Sequence, residues 1–319
     1  MNLGNFLIPE NNTKLAVIAL IIANIIWGAA FPIYKWTLEV IPPFIFIFLR
    51  FFLGAIVLLP FILKDYKIRK EDLIMLLLLS FVGISLQIPL LFLGLQLSPS
   101  INAPIIISSG PIILIIASFL FLNEKIRRKV IAGTLISLFG VLLIILRPVL
   151  ENGFSGSILG NLLFFLATIC SVIQVLILKK ISVFNNPIAI TFWSFLIGCI
   201  PLSFFAFREL EVFDFSSIGM QGIFGIIYGV IFAAAIAHVF LTYAVKYIKA
   251  SEIGIFTYVD PVVTILVAVP LLNEVITPSY ALAALLVFSG IYIAEGRIHY
   301  HPFHLLKRSS LNKLSERID

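Results

Sequence analysis

The stretch SEIGIFTYVDPVVTILVAVPLLNE, Ser251 to Glu274, decides how the rest of the chain is read. At a helical rise of about 1.5 Å per residue it can cross a hydrocarbon core of roughly 30 Å, and Asp260-Pro261 falls near its middle. A carboxylate at that depth is costly. Pro261 has no N–H to offer the carbonyl of Thr257, so the spacing predicts an interrupted helix and a freed backbone acceptor beside the acid.

The same stretch occurs earlier. An offset of 150 positions pairs Pro261 with Pro111, Leu272 with Leu122, Asn273-Glu274 with Asn123-Glu124, Ile276 with Ile126, Leu285 with Leu135 and Gly290 with Gly140. The proline is kept, but Gly110 stands where Asp260 does. Further upstream an offset of 144 pairs Lys35 with Lys179, Pro43 with Pro187, Phe48 with Phe192, Phe51 with Phe195, Gly54 with Gly198 and Leu58 with Leu202. The chain is an internal duplication in which the charge belongs to one half only.

Working outward, ten apolar runs of roughly membrane length can be marked, at about 15–35, 43–63, 73–96, 99–122, 130–147, 157–178, 187–207, 217–245, 251–272 and 279–296. The 319 residues are 61% hydrophobic and 12% charged, outside the range of soluble domains. The runs are too long and too continuous for barrel strands. The expected fold is an all-α membrane protein of ten transmembrane helices, arranged as two five-helix repeats at 15–147 and 157–296, with a basic tail at 297–319. Five helices per repeat is an odd number, so the second copy enters the membrane from the opposite side, and the repeats are inverted. Such pairs suit a protein whose central site opens alternately to two sides.

Basic residues set the orientation, because Lys- and Arg-rich loops stay in the cytoplasm. Alternate loops hold 18 of them on one side and 3 on the other (Lys35, Arg147 and Arg208), with Arg50 inside the second run. Both termini are therefore expected in the cytoplasm. The asymmetry accounts for the net charge of +6, which gives no reason to expect a nucleic-acid partner. Cys170 and Cys199 lie in apolar runs and read as packing residues, not a disulfide framework. His299, His301 and His304 in the tail lack a Cys or carboxylate partner nearby, and no metal site is expected. There is no phosphate-binding loop, no zincin helix and no nucleophile elbow, which argues against ATP-driven transport by this chain alone and against hydrolysis.

Ten helices in two repeats, each with a proline in its fourth helix and a Glu just after it (Pro111 with Glu124, Pro261 with Glu274), resemble the EamA-type members of the drug/metabolite transporter superfamily. Trp27-Gly28, Phe31-Pro32 and Arg50 are similar to that family's pattern as well. The resemblance covers about residues 15–296. It implies a bundle with a central cavity lined mainly by the first, third, fourth, sixth, eighth and ninth helices, alternating access, and export of amino acids, other metabolites or drugs across a bacterial or archaeal plasma membrane. No cofactor is expected.

Candidate solute-binding residues follow from polarity at depth. Thr257, Asp260 and Thr264 form a polar stripe on an apolar helix, and in lipid such a stripe faces inward. Burial favours the neutral form of a carboxyl, so Asp260 reads either as a proton carrier or cation partner, or as a kink residue satisfied locally. His238 reads as a proton relay or as a helix-helix hydrogen bond. Trp27, Phe31, Tyr34, Gln87, Gln174 and Tyr228 are candidates for a partly apolar cavity wall. Asn102 and Ser109, seven apart, share a face near Pro111. Arg50, about 10 Å deep, reads as one member of a charge pair in the bundle or as a solute contact. Glu252 reads as a helix N-terminal acid, and Glu124 and Glu274 as fasteners of loops to neighbouring helices.

The partners expected are a small-molecule solute and the lipid bilayer, with the chain acting as a monomer or homodimer. Two other functions stand beside transport: lipid flipping or scaffolding, and an intramembrane enzyme acting on lipid-linked substrates. The last would need several polar catalytic groups clustered at one interface, whereas those here are sparse.

Overall fold

The computed structural model describes residues 10–63, 65–113, 128–152, 156–248 and 253–295. Glu124, Glu252 and the tail with its three histidines lie outside them. The described residues form helices and turns, with no strand. In chain order the helices are α1 (Glu10–Thr37), α2 (Pro43–Ile62), α3 (Lys70–Leu97), α4 (Asn102–Ile113), α5 (Arg128–Asn152), α6 (Gly156–Ile181), α7 (Pro187–Leu210), α8 (Met220–Tyr247), α9 (Phe256–Leu272) and α10 (Pro278–Glu295). Six of them, α1, α2, α3, α6, α7 and α8, contain segments long and apolar enough to cross a membrane, and α4, α5, α9 and α10 contribute shorter apolar segments.

Local chemistry sets the helix ends. Both α2 and α7 open on a proline in the first turn, where the missing N–H has no intrahelical partner to lose. In α7 the Asn186 side chain caps the turn, accepting from Ile188 N at 2.9 Å. Helix α9 ends at Asn273, whose φ of 53° is the left-handed conformation that stops a helix and that Asn tolerates.

The patterning along α1 is that of a helix in lipid. Leu15, Ile18, Ile22 and Ile25 are exposed along one stripe, while Ala16, Ala19 and Ala23 are buried on the opposite one. Large aliphatic side chains suit acyl chains, and small ones let helix backbones approach. The clearest close approach joins α5 and α10. A Cβ on Gly140 would come within 2.8 Å of the Ala283 carbonyl, and one on Gly290 would collide with the backbone around Gly133 and Ser137. The remaining pairing is regular: α2 packs along α7, α1 against α8 and α9, and α6 against α3 and α4.

Two helices carry a wide turn at mid-length. Phe81–Leu86 in α3 and Tyr228–Ile236 in α8 are π-helical, a form that is rare and concentrated at functional sites. In α9 the expected interruption takes a particular form. Gly254–Tyr258 is a 3₁₀ turn, and the α-helical part starts only at Val259, which puts Pro261 in its first turn. The proline thus begins a helix instead of breaking one, because that turn needs no N–H from it. The counterpart in α4 behaves alike: Asn102–Ile107 ends in a turn at Ser108-Ser109, and the helix resumes at Gly110-Pro111.

Candidate functional site

Just beyond the π-helical segments, at Gln87 and His238, and beside the two proline turns lies one cavity of about 150 Å³. Its wall is contributed by α1 (Asn24, Trp27, Ala30, Phe31 and Tyr34 among others), α2 (Arg50), α3 (Gln87, Ile88, Leu91), α4 (Ile107), α6 (Ser171, Gln174, Val175), α8 (His238, Leu241) and α9 (Ile253, Thr257, Asp260). The lining is mainly apolar with a few polar groups, as small-molecule pockets generally are. Six pairs of lining residues are separated by the repeat offsets. Trp27 and Ser171, Ala30 and Gln174, and Phe31 and Val175 are 144 apart; Ile88 and His238, Leu91 and Leu241, and Ile107 and Thr257 are 150 apart.

Of the residues singled out from sequence, Trp27, Phe31, Gln87, Gln174, His238, Thr257 and Asp260 come together in this wall. Pro111 and Pro261 shape the turns beside it, and a Cβ on Gly254 would collide with the Pro111 ring, so the two turns touch. Asn102, Ser109 and Tyr228 lie outside the lining. Asn102 Nδ2 donates to Ser98 Oγ at 3.2 Å and to Asn161 Oδ1 at 3.0 Å, in a buried polar node at one end of the bundle. The Ser109 hydroxyl donates to the Ile106 carbonyl at 2.6 Å, which serves its own turn. The Tyr228 hydroxyl ties α8 to α1 by donating to Ile26 O at 2.7 Å.

The stripe on α9 is divided between two tasks. Thr264 Oγ1 donates to the Gly28 carbonyl of α1 at 2.7 Å, and Thr257 Oγ1 to Gly254 O at 2.7 Å. Asp260 is 3% exposed, and its Oδ1 has no hydrogen-bond partner among the described residues. The hydroxyls of Thr257 and Thr264 are thus spent on carbonyls and do not donate to it. The turn is held by the threonines, and the acid faces the cavity.

Around the α8 π-segment, one backbone oxygen serves three side chains. The carbonyl of Ala233 accepts from Trp27 Nε1 at 3.1 Å, from Arg50 Nη2 at 3.2 Å and from His238 Nδ1 at 2.9 Å. A carbonyl can only accept, so Nδ1 of His238 carries the ring proton in this bond. The bond lies within α8 and joins no second helix. The ring itself stands edge-on to Trp27, Phe51 and Phe195.

Arg50, which from sequence reads as one member of a charge pair or as a solute contact, lines the cavity, although the helix set implied by the family pattern omits α2. Among the described residues it has no acidic partner. Its guanidinium carbon lies 4.8 Å from the Tyr34 ring centroid and 4.7 Å from that of Phe51. Tyr34, a candidate for the wall from sequence, lines the cavity, and so do Asn24 and Ser171, which the sequence did not single out. For Ser171 the signal was available, because it stands at the position of Trp27 in the other half.

At the end of the bundle where α1 and α3 finish, polar groups converge. Lys35 Nζ donates to Ser98 O at 2.6 Å and lies 3.5 Å from Glu274 Oε1. Glu274 accepts from the backbone N–H groups of Ser100 and Ile101 at 2.7 and 3.0 Å, which satisfies the start of α4. Ser98 Oγ and Asn102 both donate to Asn161 Oδ1, and Asn161 Nδ2 donates to Ile144 O at 2.9 Å. At the opposite end Lys179, the counterpart of Lys35, reaches two carbonyls at the end of α8, Val245 O in its last turn and Ile248 O just after it, both at 2.6 Å.

A helical bundle of this kind, with a polar-patched cavity, is matched by known proteins. The family model for the EamA-like transporter family matches residues 14–146 and 158–295. The chain belongs to that family. An uncharacterized transporter of Bacillus subtilis (strain 168), YetK, is 29% identical over 283 residues, which cover 87% of this chain and 86% of the relative. An uncharacterized transporter of Archaeoglobus fulgidus is 25% identical over 284 residues, covering 89% and 86%. A crystal structure that is 18% identical shares the fold, with a TM-score of 0.62 over 88% of this chain and 96% of its own. This EamA-family chain is accordingly a multi-pass membrane transporter and not an enzyme.

Proposed function

We propose that this transporter moves small organic solutes by alternating access, as a secondary transporter working in the export direction across a bacterial or archaeal plasma membrane. Two inverted five-helix repeats, residues 15–147 and 157–296, make ten spans, with both termini and the tail at 297–319 in the cytoplasm. The observation that carries this reading is the cavity wall, in which six pairs of residues related by the repeat offsets face one space. A site on the pseudo-symmetry axis of inverted repeats can be presented to either side when the halves exchange conformations.

The packing supports the same reading. Gly140 meets Ala283 and Val287, while Gly290, its counterpart, meets Gly133 and Ser137, the counterparts of those two. A contact that maps onto itself when the halves are exchanged is what a two-fold axis between them produces. The polar closure around Lys35, Glu274 and Asn161 lies at the end that the basic-loop count assigns to the outside, so this conformation would take up solute from the cytoplasm. Rocking that separates Glu274 from the start of α4 would open the other path.

Trp27, Phe31, Gln87, Gln174, His238, Thr257 and Asp260 form the solute site in this reading. Asn102, Ser109 and Tyr228 act at one remove, through the outer closure, the α4 turn and the α1–α8 contact. Proton coupling runs through Asp260 or His238. The test is solute exchange in proteoliposomes with and without a proton gradient, for the wild type and Asp260→Asn. Gradient-driven flux that collapses in the variant is expected; flux in the wild type that ignores pH and the gradient would remove proton coupling and leave facilitated exchange.

A further inference from the structure

Within the cavity, four side chains carry buried polar atoms without a hydrogen-bond partner among the described residues: Tyr34 Oη, Arg50 Nε and Nη1, Gln87 Oε1 and Asp260 Oδ1. Such groups are rare in folded proteins, and each costs free energy while it stays unpaired. Here they gather in one wall. Arg50 is 2% exposed and Asp260 3%, yet no ion pair joins them. One buried cation and one buried acid thus border the same space, each lacking what a single bound molecule can supply.

The aromatic rings around Arg50 do not fill this need. Tyr34 and Phe51 meet the guanidinium by cation–π attraction, whereas the N–H donors lie in the guanidinium plane and require an acceptor. The Ala233 carbonyl takes only Nη2, and it shares its lone pairs with Trp27 and His238. That bond is easily given up, since two other donors remain to satisfy the oxygen.

We propose that Arg50 is the anion-recognition residue of the cavity and that the transported solute is a small zwitterion, with a carboxylate for Arg50 and an ammonium for Asp260 and Gln87. The body between these groups is apolar, to match Trp27, Phe31, Ile88 and Leu91, and no bulkier than the benzene-sized ligands that a cavity of about 150 Å³ accepts. When the carboxylate binds, Arg50 turns from the Ala233 carbonyl to the solute, which links occupancy to the π-helical segment of α8. The inference rests on the transport reading and narrows its substrate class.

The experiment is thermal unfolding of the purified full-length protein in nanodiscs. The probes are glycine, valine and 4-aminobutanoate, together with two half-molecules, 3-methylbutanoate, which lacks the ammonium, and 2-methylpropylamine, which lacks the carboxylate. At least one zwitterion is expected to raise the midpoint more than either half-molecule, because binding to the folded state stabilises it by mass action. Arg50→Lys keeps the charge but not the planar donor set, and should weaken that zwitterion at least tenfold while leaving the response to the amine unchanged.

The proposal is overturned if the amine alone matches every zwitterion, or if Arg50→Lys binds the zwitterion like the wild type. Should Arg50→Lys fail to fold, valinamide decides: it keeps the ammonium and loses the carboxylate, and stabilisation equal to that by valine would also overturn the proposal. Exchange in proteoliposomes separates this failure from that of the transport reading. Exchange of neutral or purely cationic solutes without any zwitterion sinks the inference alone, whereas no exchange of any solute sinks both.

Discussion

The two proline turns both start a helix at the proline, and their packing is opposite. In α9 the turn lies hard against α1: a Cβ on Gly28 would stand 2.9 Å from the carbonyl oxygen of Asp260 and 2.9 Å from Val263 Cβ. In α4 the equivalent turn faces α6, where Val172 occupies the position of Gly28 and Gly110 that of Asp260. A Cβ on Gly110 would meet only Thr168 and Val172, at 3.6 and 3.7 Å. The bulk has changed sides between the halves. The duplicated frame keeps its turn because the proline needs only a first-turn position, and the side chains are then free to diverge. One half has become a close seam presenting an acid, the other a looser seam of aliphatic groups.

The largest expected effect breaks the closer seam. Gly28→Val should lower stability by about 1–3 kcal/mol or more, since neither the Asp260 backbone nor Val263 can yield without moving α9. The unfolding midpoint in detergent checks this. Gly110→Ala is the control in the other half and should shift stability by less than about 1 kcal/mol in either direction, because its new methyl enters ordinary contact and the helix gains propensity. Equal losses for the two variants would mean that the seams do not differ.

Next comes the buried node at the end of the bundle where α1 and α3 finish. Asn161→Ala removes the acceptor used by Ser98 and Asn102 and the donor to Ile144 O, and should cost about 1–3 kcal/mol. The equivalent position in the first half is Val17, so this node is a feature of one end only. Glu274→Gln is expected to cost less, about 1 kcal/mol, because the amide oxygen can still accept one bond from the start of α4 while the charge opposite Lys35 is lost. In exchange assays it should also favour opening at that end. Pro261→Ala should be the mildest, within about 1 kcal/mol, because the ring sits where no helical hydrogen bond is forfeited. A loss of several kcal/mol there would show that the turn depends on the proline and not on Thr257, Thr264 and the packing against α1.

Particular residues show what could be read in advance. Asp260 was conspicuous because a charge in a membrane-length run is rare, and it does line the cavity. Gln87, Gln174 and His238 stood out because polar side chains are rare in such runs as well. Asn102, Ser109 and Tyr228 looked alike in sequence, yet each spends its polar atoms on a neighbouring backbone or side chain. Polarity at depth marks a residue as satisfied by something, and it does not say whether the partner is protein or solute.

The sequence by itself determined the helical membrane class, the duplication with its two offsets and the positions of the proline turns, because these depend on hydropathy over twenty-residue windows and on the missing N–H of proline. Only the tertiary structure decided which polar groups are left without partners. Arg50, Asp260, Gln87 and Tyr34 come from four different helices, and whether each finds a hydrogen bond depends on how those helices cross. The three-way sharing of the Ala233 carbonyl is of the same kind: a π-helical turn exposes the oxygen, and α1, α2 and α8 must all converge on it.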